Sequence, residues 1–192
     1  MNAPAPLPPF PVLETPRLVL REIVPADAPA LFGIHGDAAY MRWFGSESLR
    51  VPDDAIKLAE MFAGWRSLPN PGTRWALELK DTPGLIGTAG VFGWHRAWHK
   101  CLTGFEIDKA HAGQGLMREA LGAIFDWSFA TMALNRIEAQ IHPDNLASRA
   151  LAERLGFKEE GLLREVGFWA GAYHDLVQYG LLRRDWLAPR RA

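Results

Sequence analysis

Two glycines, Gly113 and Gly115, stand two residues apart in HAGQGLMREAL (residues 111–121), directly before a run with the character of a helix start. Glycine has no Cβ, so backbone at such a site can come against a ligand that any side chain would hold away. A helix beginning near Gly115 leaves its first N–H groups without intrahelical acceptors at the positive end of its dipole. Main-chain hydrogens of Gln114, Leu116 and Met117 would then converge on an anion such as a diphosphate. Two phosphate motifs of fixed spelling do not fit. The dinucleotide fingerprint needs a glycine where Arg118 stands, and the Gly-Lys-Ser/Thr of a nucleotide P-loop occurs nowhere in the chain. A tight strand-to-helix turn with no ligand uses the same glycines, and the motif alone leaves both readings open.

Other reactive residue types are sparse. His95 and His99 lie four apart in WHRAWHK, a spacing that on a helix would present both imidazoles to one metal, but no third ligand accompanies them and no metal is expected. Cys101 is the single cysteine, which excludes an intramolecular disulfide and agrees with a reducing interior. Its segment offers neither a base nor an oxyanion partner, which argues against a thiol nucleophile. His111, His142 and His174 read as loop or strand-end residues, any of which can serve as an alternative proton acceptor.

These residues must be held by a scaffold, and 192 residues with 48% hydrophobic and 22% charged content suit one domain with a proper core. The net charge of -1 and the lack of a basic block argue against a nucleic-acid partner. No apolar run approaches the roughly 18 residues a spanning helix needs, so no membrane partner is expected. MNAPAPLPPFP carries five prolines and resembles neither a signal nor a transit peptide. Residues 1–12 are therefore read as a flexible proline-rich lead and 13–192 as a single domain, in a cytoplasmic protein.

Periodicity supplies the elements. RLVLREI (17–23) reads as a strand, after which Pro25 and Asp27, a plausible N-cap, open a short helix toward His35. VPDDAIKLAEMFAGW places Ile56, Ala59, Met61 or Phe62, and Trp65 near helical spacing. TRWALELK and LIGTAGVFGW form a hairpin whose turn is expected at DTPG, and LTGFEID (102–108) is a further strand. A long amphipathic helix follows through Leu121, Ile124, Phe125, Ser128 and Met132. RIEAQIH is a strand, DNLASRALAERLGF a helix starting at Asp144 or Asn145 and stopped by Gly156, and two extended segments close the chain. The order β, α, α, β, β, β, α, β, α, β, β defines a mixed α/β domain.

Five segments in this order, LETPRLVLRE, LIGTAGV, GFEIDKAHAGQGLMREAL, NLASRALAERLGF and AYHDLVQYGLLRRDW, resemble the GNAT N-acetyltransferase superfamily over roughly residues 13–186. Within it the chain is similar to the branch that includes the bacterial ribosomal-protein N-terminal acetyltransferases. The resemblance implies a central, mostly antiparallel twisted sheet flanked by helices, with the strand before the glycine loop and RIEAQIH splayed apart. It implies acetyl-CoA as co-substrate, with its pyrophosphate on the loop 112–117, including Gly113, Gln114, Gly115, Leu116 and Met117. The pantetheine arm would lie along Phe105, Glu106 and Ile107. Where the family's loop usually begins with Gln or Arg this chain has Ala112, and Met117 stands where Gly or Ala is usual.

The same resemblance assigns Asn145 to the pantetheine arm and Ser148 to protonation of the leaving thiolate. An N-cap asparagine and a neutral first-turn serine are the plain alternatives. Glu106 is the first candidate for the base that takes the amine's proton, with a solvated strand glutamate as the alternative. The fold would bring Trp43, Phe44, Trp65, Trp94, Trp98, Phe168 and Trp169 to the acceptor side, with Met41, Arg42, Arg96 and Tyr173 near them; core packing is the competing account. The expected reaction is direct attack of a primary amine on the thioester. The acceptor is a protein N-terminus or a small-molecule amine such as a polyamine, an aminoglycoside or an amino acid; a non-catalytic CoA-binding module is the remaining alternative. Related enzymes are often dimers, and a homodimer built on the final extended segment is considered.

Overall fold

A computed structural model describes residues 7–188. The chain runs β1 (Leu13–Glu14), β2 (Leu18–Glu22), α1 (Ala28–His35), α2 (Ala38–Met41), α3 (Pro52–Gly64), β3 (Thr73–Leu79), β4 (Thr82–His95) and β5 (Lys100–Ile107). It continues with α4 (Leu116–Thr131), β6 (Arg136–Ile141), α5 (Leu146–Arg154), β7 (Lys158–Trp169), β8 (Ala172–Leu182) and α6 (Arg183–Leu187). One sheet has the order β1-β2-β3-β4-β5-β6-β8-β7, antiparallel except between β5 and β6. The mixed α/β expectation and the mostly antiparallel sheet are both what the structure has.

Strand alternation divides the core into two layers. Trp75 and Leu77 of β3 join α4 residues Leu121, Ile124 and Phe125 and β6 residue Ile137 on one face. Ala76, between them, faces α1 and α3 through Leu31, Ile34, Ala59 and Phe62. Each large side chain so buried stabilises the fold by about 1.5–3 kcal/mol. The apolar stripe expected on α4 is the buried one. On α3 it is rotated: Ala55, Ala59 and Phe62 are buried while Ile56 and Met61 are exposed. Ala55 and Ala59 let α3 lie close against α1, while Ile56 and Met61 stay outside.

Three other sequence expectations change. The β3–β4 reversal falls at Lys80–Asp81, and Thr82 already pairs with Leu79. Pro83 and Gly84 lie inside β4 beside a register shift, with Gly84 at φ +122°, so the residues read as a turn relieve a bulge instead. The closing RRDW is helical, as part of α6. The proline lead, expected to be flexible, is docked from Leu7 onward: Trp75 donates to the Pro11 carbonyl at 2.6 Å and Arg66 to the Pro8 carbonyl at 2.6 Å, while Phe10 packs edge-on against Trp75. Residues 1–6 of that lead lie outside the described residues.

One feature of the sheet decides where a ligand can go. β5 and β6 pair only at Lys100 with Arg136, Cys101 with Ile137 and Leu102 with Glu138. Beyond Leu102 the strands diverge, opening a wedge toward Ile107 on one side and Ile141 on the other.

Candidate active site

The glycine loop sits at the mouth of this wedge. β5 ends at Ile107, Asp108 accepts the Ala110 N–H at 2.9 Å, and a single 3-10 turn over Lys109–His111 leads into the loop. Gly113 and Gly115 have φ of +76° and +77°, left-handed values that other L-residues adopt at a cost of about 1–2 kcal/mol. Gly115 is the N-cap of α4, and the first helix-closing bond runs from Glu119 N–H to the Gly115 carbonyl at 3.1 Å. The amides of Leu116, Met117 and Arg118 therefore lie among those the helix itself leaves without acceptors.

A cavity of about 680 Å³ opens on the β5 side of the wedge, between the end of β5, α2, the glycine loop and α5. Phe105, Glu106, Ile107, Gly113, Gly115, Leu116, Met117, Asn145 and Ser148 all border it. Gln114 does not; its side-chain amide folds back on the Ala110 carbonyl at 2.9 Å. Asn145 caps α5, its Oδ1 accepting from the Ser148 N–H at 3.2 Å, so the cap and the cavity wall are the same residue. His111, Arg118 and Arg154 border the cavity as well. Nothing in the sequence marked the two arginines, because a helical arginine reads as a solvated one.

Glu106 points away from Phe105 and Ile107, as alternation requires, and is buried beneath the strand. Arg74 and Thr88 donate to its carboxylate, and His35 Nε2 lies 3.2 Å from Oε1. Arg74 also donates from Nε to the Thr88 hydroxyl at 2.6 Å and stacks over Phe62 at 4.3 Å. Burial pushes the Glu106 carboxyl up, but Arg74, His35 and Thr88 together outweigh it and hold the group below the usual glutamate range. Taking a proton from an amine would mean giving up these partners. The site thus holds a fixed, neutralised carboxylate where the sequence suggested a free base.

One wall of the cavity is built by α2 and the loop after it. Tyr40 donates to the Ile107 carbonyl at 2.6 Å, and Met41, Arg42, Trp43 and Phe44 border the cavity. Tyr40 was not foreseen; burial, with Asp108 and Glu106 nearby, raises its phenol above the ordinary value. Trp43 stacks on His142 at 3.9 Å, and Trp169 stacks on His174 at 3.8 Å while donating from Nε1 to the Arg42 carbonyl at 2.9 Å. The turn after β7 is thereby tied to the loop after α2, and Ala170 N–H adds a bond to Glu47 at 2.6 Å. His142 Nδ1 accepts the Asp144 N–H at 3.1 Å, which puts the proton of the neutral ring on Nε2, and burial pulls its pKa down.

Of the aromatics expected at the acceptor side only Trp43 and Phe44 border the cavity; Trp169 and the others do not. Trp65 packs on Phe62, Trp94 lines a separate cavity of about 360 Å³ under the N-terminal segment with Arg96 over its ring, and Trp98 stacks on His95. Phe168 and Tyr173 form an exposed edge-to-face pair at 5.0 Å on the β7–β8 hairpin. His95 accepts from Trp98 N–H, and the left-handed His99 pairs with the Ala133 carbonyl, so no helix aligns the two histidines. Among the described residues no group of three or more His, Cys, Asp or Glu side chains is placed to hold a metal ion.

Cys101 lies in the paired part of β5, buried, with its thiol pushed up to about 12 by burial and by Glu138. A thiol held so far from ionisation is a poor nucleophile at neutral pH. Cys101→Ala is expected to keep its turnover within about twofold of wild type while losing about 1 kcal/mol of stability to the small cavity. Loss of turnover in a folded variant would restore a thiol mechanism.

The wedge, the glycine loop on a helix start and the capped α5 together define a class. The model of the acetyltransferase (GNAT) domain matches residues 17–158, and the chain belongs to the GNAT acetyltransferase family. It is an N-acetyltransferase acting on an amine with acetyl-CoA. Over 174 residues it is 33% identical to the uncharacterized N-acetyltransferase YoaA of Bacillus subtilis (strain 168), spanning 91% of this chain and 98% of that one. It is 34% identical to the ribosomal protein uS5-alanine N-acetyltransferase of Escherichia coli (strain K12), over 57% of each chain. Mycobacterium smegmatis RimJ, solved in complex with CoA-disulfide, has the same fold, with a TM-score of 0.81 at 22% identity over 93% of this chain and 89% of that one. Among the described residues no helix is long and apolar enough to cross a membrane.

Proposed function

We propose that the acceptor is the α-amino group of a polypeptide, with the diphosphate of acetyl-CoA on the loop 113–117 and its arm in the wedge beside Phe105 and Ile107. One observation carries the acceptor choice. The cavity's only carboxylate among the described residues is Glu106, and Arg74 already neutralises it, whereas Arg42, Arg118 and Arg154 border the same space. A polyamine brings several positive charges and needs several carboxylates to receive them. A peptide terminus brings one, and the relative that modifies an alanine of uS5 supports the same class.

The proton inventory agrees. With a pKa near ~8, an α-amine is about one-tenth neutral at pH 7, against roughly one part in 2,500 for a lysine side chain near ~10.4. A site whose carboxylate is already committed suits the amine that needs less help. Acetyl-CoA supplies the thioester carbonyl that the amine nitrogen attacks. Ser148, whose hydroxyl makes no hydrogen bond among the described residues, borders the cavity one turn into α5 and is assigned as a proton relay: it gives its proton to the departing sulfur and takes the one the attacking nitrogen sheds, so the serine ends as it began. Asn145, fixed by its cap, offers its side-chain N–H groups to the arm.

The test is a panel at pH 7.5: a peptide with a free N-terminal alanine, an Nα-blocked peptide carrying lysine, and spermine. The free terminus is expected to lead in kcat/KM by roughly a hundredfold, in line with the neutral fractions above. Spermine leading would move the acceptor to small polycations. In the same assay Ser148→Ala is expected to lower kcat by at least about tenfold with KM for acetyl-CoA little changed, a cost at the modest end for general-acid catalysis. An unchanged kcat would remove Ser148 from the reaction.

A further inference from the structure

The TPRL segment ahead of β2 has no part in the site as described so far, yet it reaches the glycine loop. Glu119, in the first turn of α4, accepts from the Thr15 hydroxyl at 2.6 Å, the Arg17 backbone N–H at 2.9 Å, and Arg17 Nε and Nη2 at 2.7 Å each. The remaining arm of the guanidinium, Nη1, donates to the Gln114 carbonyl at 3.0 Å. Arg17 therefore spans from the start of α4 to the middle peptide of the loop. It does not border the cavity, and neither does Gln114.

We infer that Arg17, locked by Glu119 and Thr15, is a positioning residue that fixes which way the peptide between Gln114 and Gly115 faces. That peptide is trans, so its carbonyl and its N–H point in opposite directions. Holding the Gln114 carbonyl on the Arg17 side turns the Gly115 N–H to the other side, and Gly115 borders the cavity. Without the brace the peptide is cheap to flip, because glycine tolerates both signs of φ and flanks Gln114 on both sides. The flipped state would aim a carbonyl oxygen at the anion site. A planar guanidinium with donors on three nitrogens can hold the carboxylate and the carbonyl at once, which a single ammonium does less well.

The brace acts by geometry, because Arg17 and Glu119 cancel in charge. Two variants separate geometry from charge. Were Arg17 a distant positive charge, removing the neighbouring anion with Glu119→Gln would tighten CoA binding while Arg17→Ala weakened it. The brace predicts that both weaken it, since either change releases the Gln114 carbonyl.

This inference rests on the reading that the loop holds the diphosphate. The experiment measures the dissociation constant of CoA by calorimetry, and of pantetheine, which lacks the diphosphate, by inhibition of turnover. Arg17→Ala is expected to weaken CoA roughly tenfold and Glu119→Gln a few-fold, with pantetheine unchanged and kcat at saturating acetyl-CoA within about twofold of wild type. Tighter CoA binding in Glu119→Gln, or equal losses for CoA and pantetheine, would overturn the brace. Wild-type affinity in both variants, with CoA still bound by the parent, would also overturn it and leave the diphosphate reading standing. A parent chain that binds CoA no better than pantetheine would overturn the diphosphate reading itself, and the brace with it.

Discussion

Gly115→Asp is expected to abolish the thermal stabilisation that acetyl-CoA confers on the wild-type chain. At about 100 times its dissociation constant a ligand adds roughly 2.7 kcal/mol, which for a domain of this size raises the midpoint by roughly 5–10 °C. Two effects of the substitution must be told apart. Gly115 sits at φ +77°, so any side chain there carries strain of about 1–2 kcal/mol and lowers the midpoint of the free protein by a few degrees. Asparagine tolerates the left-handed region at least as well as aspartate and is nearly the same size, but it is neutral. Gly115→Asn is therefore expected to show the lower free midpoint yet keep part of the ligand-induced rise, while Gly115→Asp keeps none. Equal loss in both would assign the effect to backbone geometry. An undiminished rise in Gly115→Asp would reduce the loop to an ordinary turn.

Arg74→Ala is expected to be the most damaging single change in the interior. It leaves Glu106 buried without its guanidinium, with Thr88 and His35 as its remaining partners, a loss that costs about 3–5 kcal/mol, or roughly 6–20 °C in midpoint here. Pairing Arg74→Met with Glu106→Leu should recover most of that loss, because two apolar groups replace two charges that each resisted burial. The pH dependence gives a second signature with opposite signs. In the wild type the Glu106 carboxyl lies below its unfolded value, so its contribution is complete above the unfolded value near ~4.3 and is lost only as pH falls through the lower folded one. Stability from this group is flat between pH 6 and 9. In Arg74→Ala the carboxyl loses the largest influence that opposes burial and its pKa rises; once burial outweighs Thr88 and His35 the folded state binds the extra proton, and stability should rise as pH falls from 8 toward 5. A variant whose midpoint tracks the wild type at every pH would show that Glu106 is not held by Arg74. The same flatness means that a rate limb near pH 8 in the wild type reports the amine and not Glu106.

How far the sequence led depends on how local each signal was. The buried stripe of α4, the Gly156 stop at φ +94° and the Asn145 cap were legible because each is set within one or two helical turns. The bordering residues 105–107 and 113–117 came from a recognisable pattern, and Gln114 departs from it only because its amide found Ala110 and its carbonyl found Arg17. Glu106 shows where locality fails. Its exposure to chemistry is decided by Arg74, 32 residues away, and His35, 71 residues away, and no spacing rule links them. The proline lead was misread for a similar reason, since composition describes a free chain and the Trp75 and Arg66 donors that receive its carbonyls lie more than 50 residues on. DTPG was misplaced because a bulge and a turn use the same residues.

The three pairs that join β5 to β6 have a consequence for cooperativity. The strands β1 to β5 form one hydrogen-bonded block and β6, β8 and β7 another, and the backbone ladder between them is only Lys100 to Leu102 long. Beyond that ladder the blocks are held by side-chain packing, Leu77 and Ile137 sharing one core with α4, and local opening is expected to begin at this seam. The pantetheine arm, placed beside Phe105 and Ile107 as proposed, would act as a temporary rung at that seam. Amide hydrogens on both sides of the wedge are then expected to slow their exchange together on binding, well beyond the few groups that touch the arm.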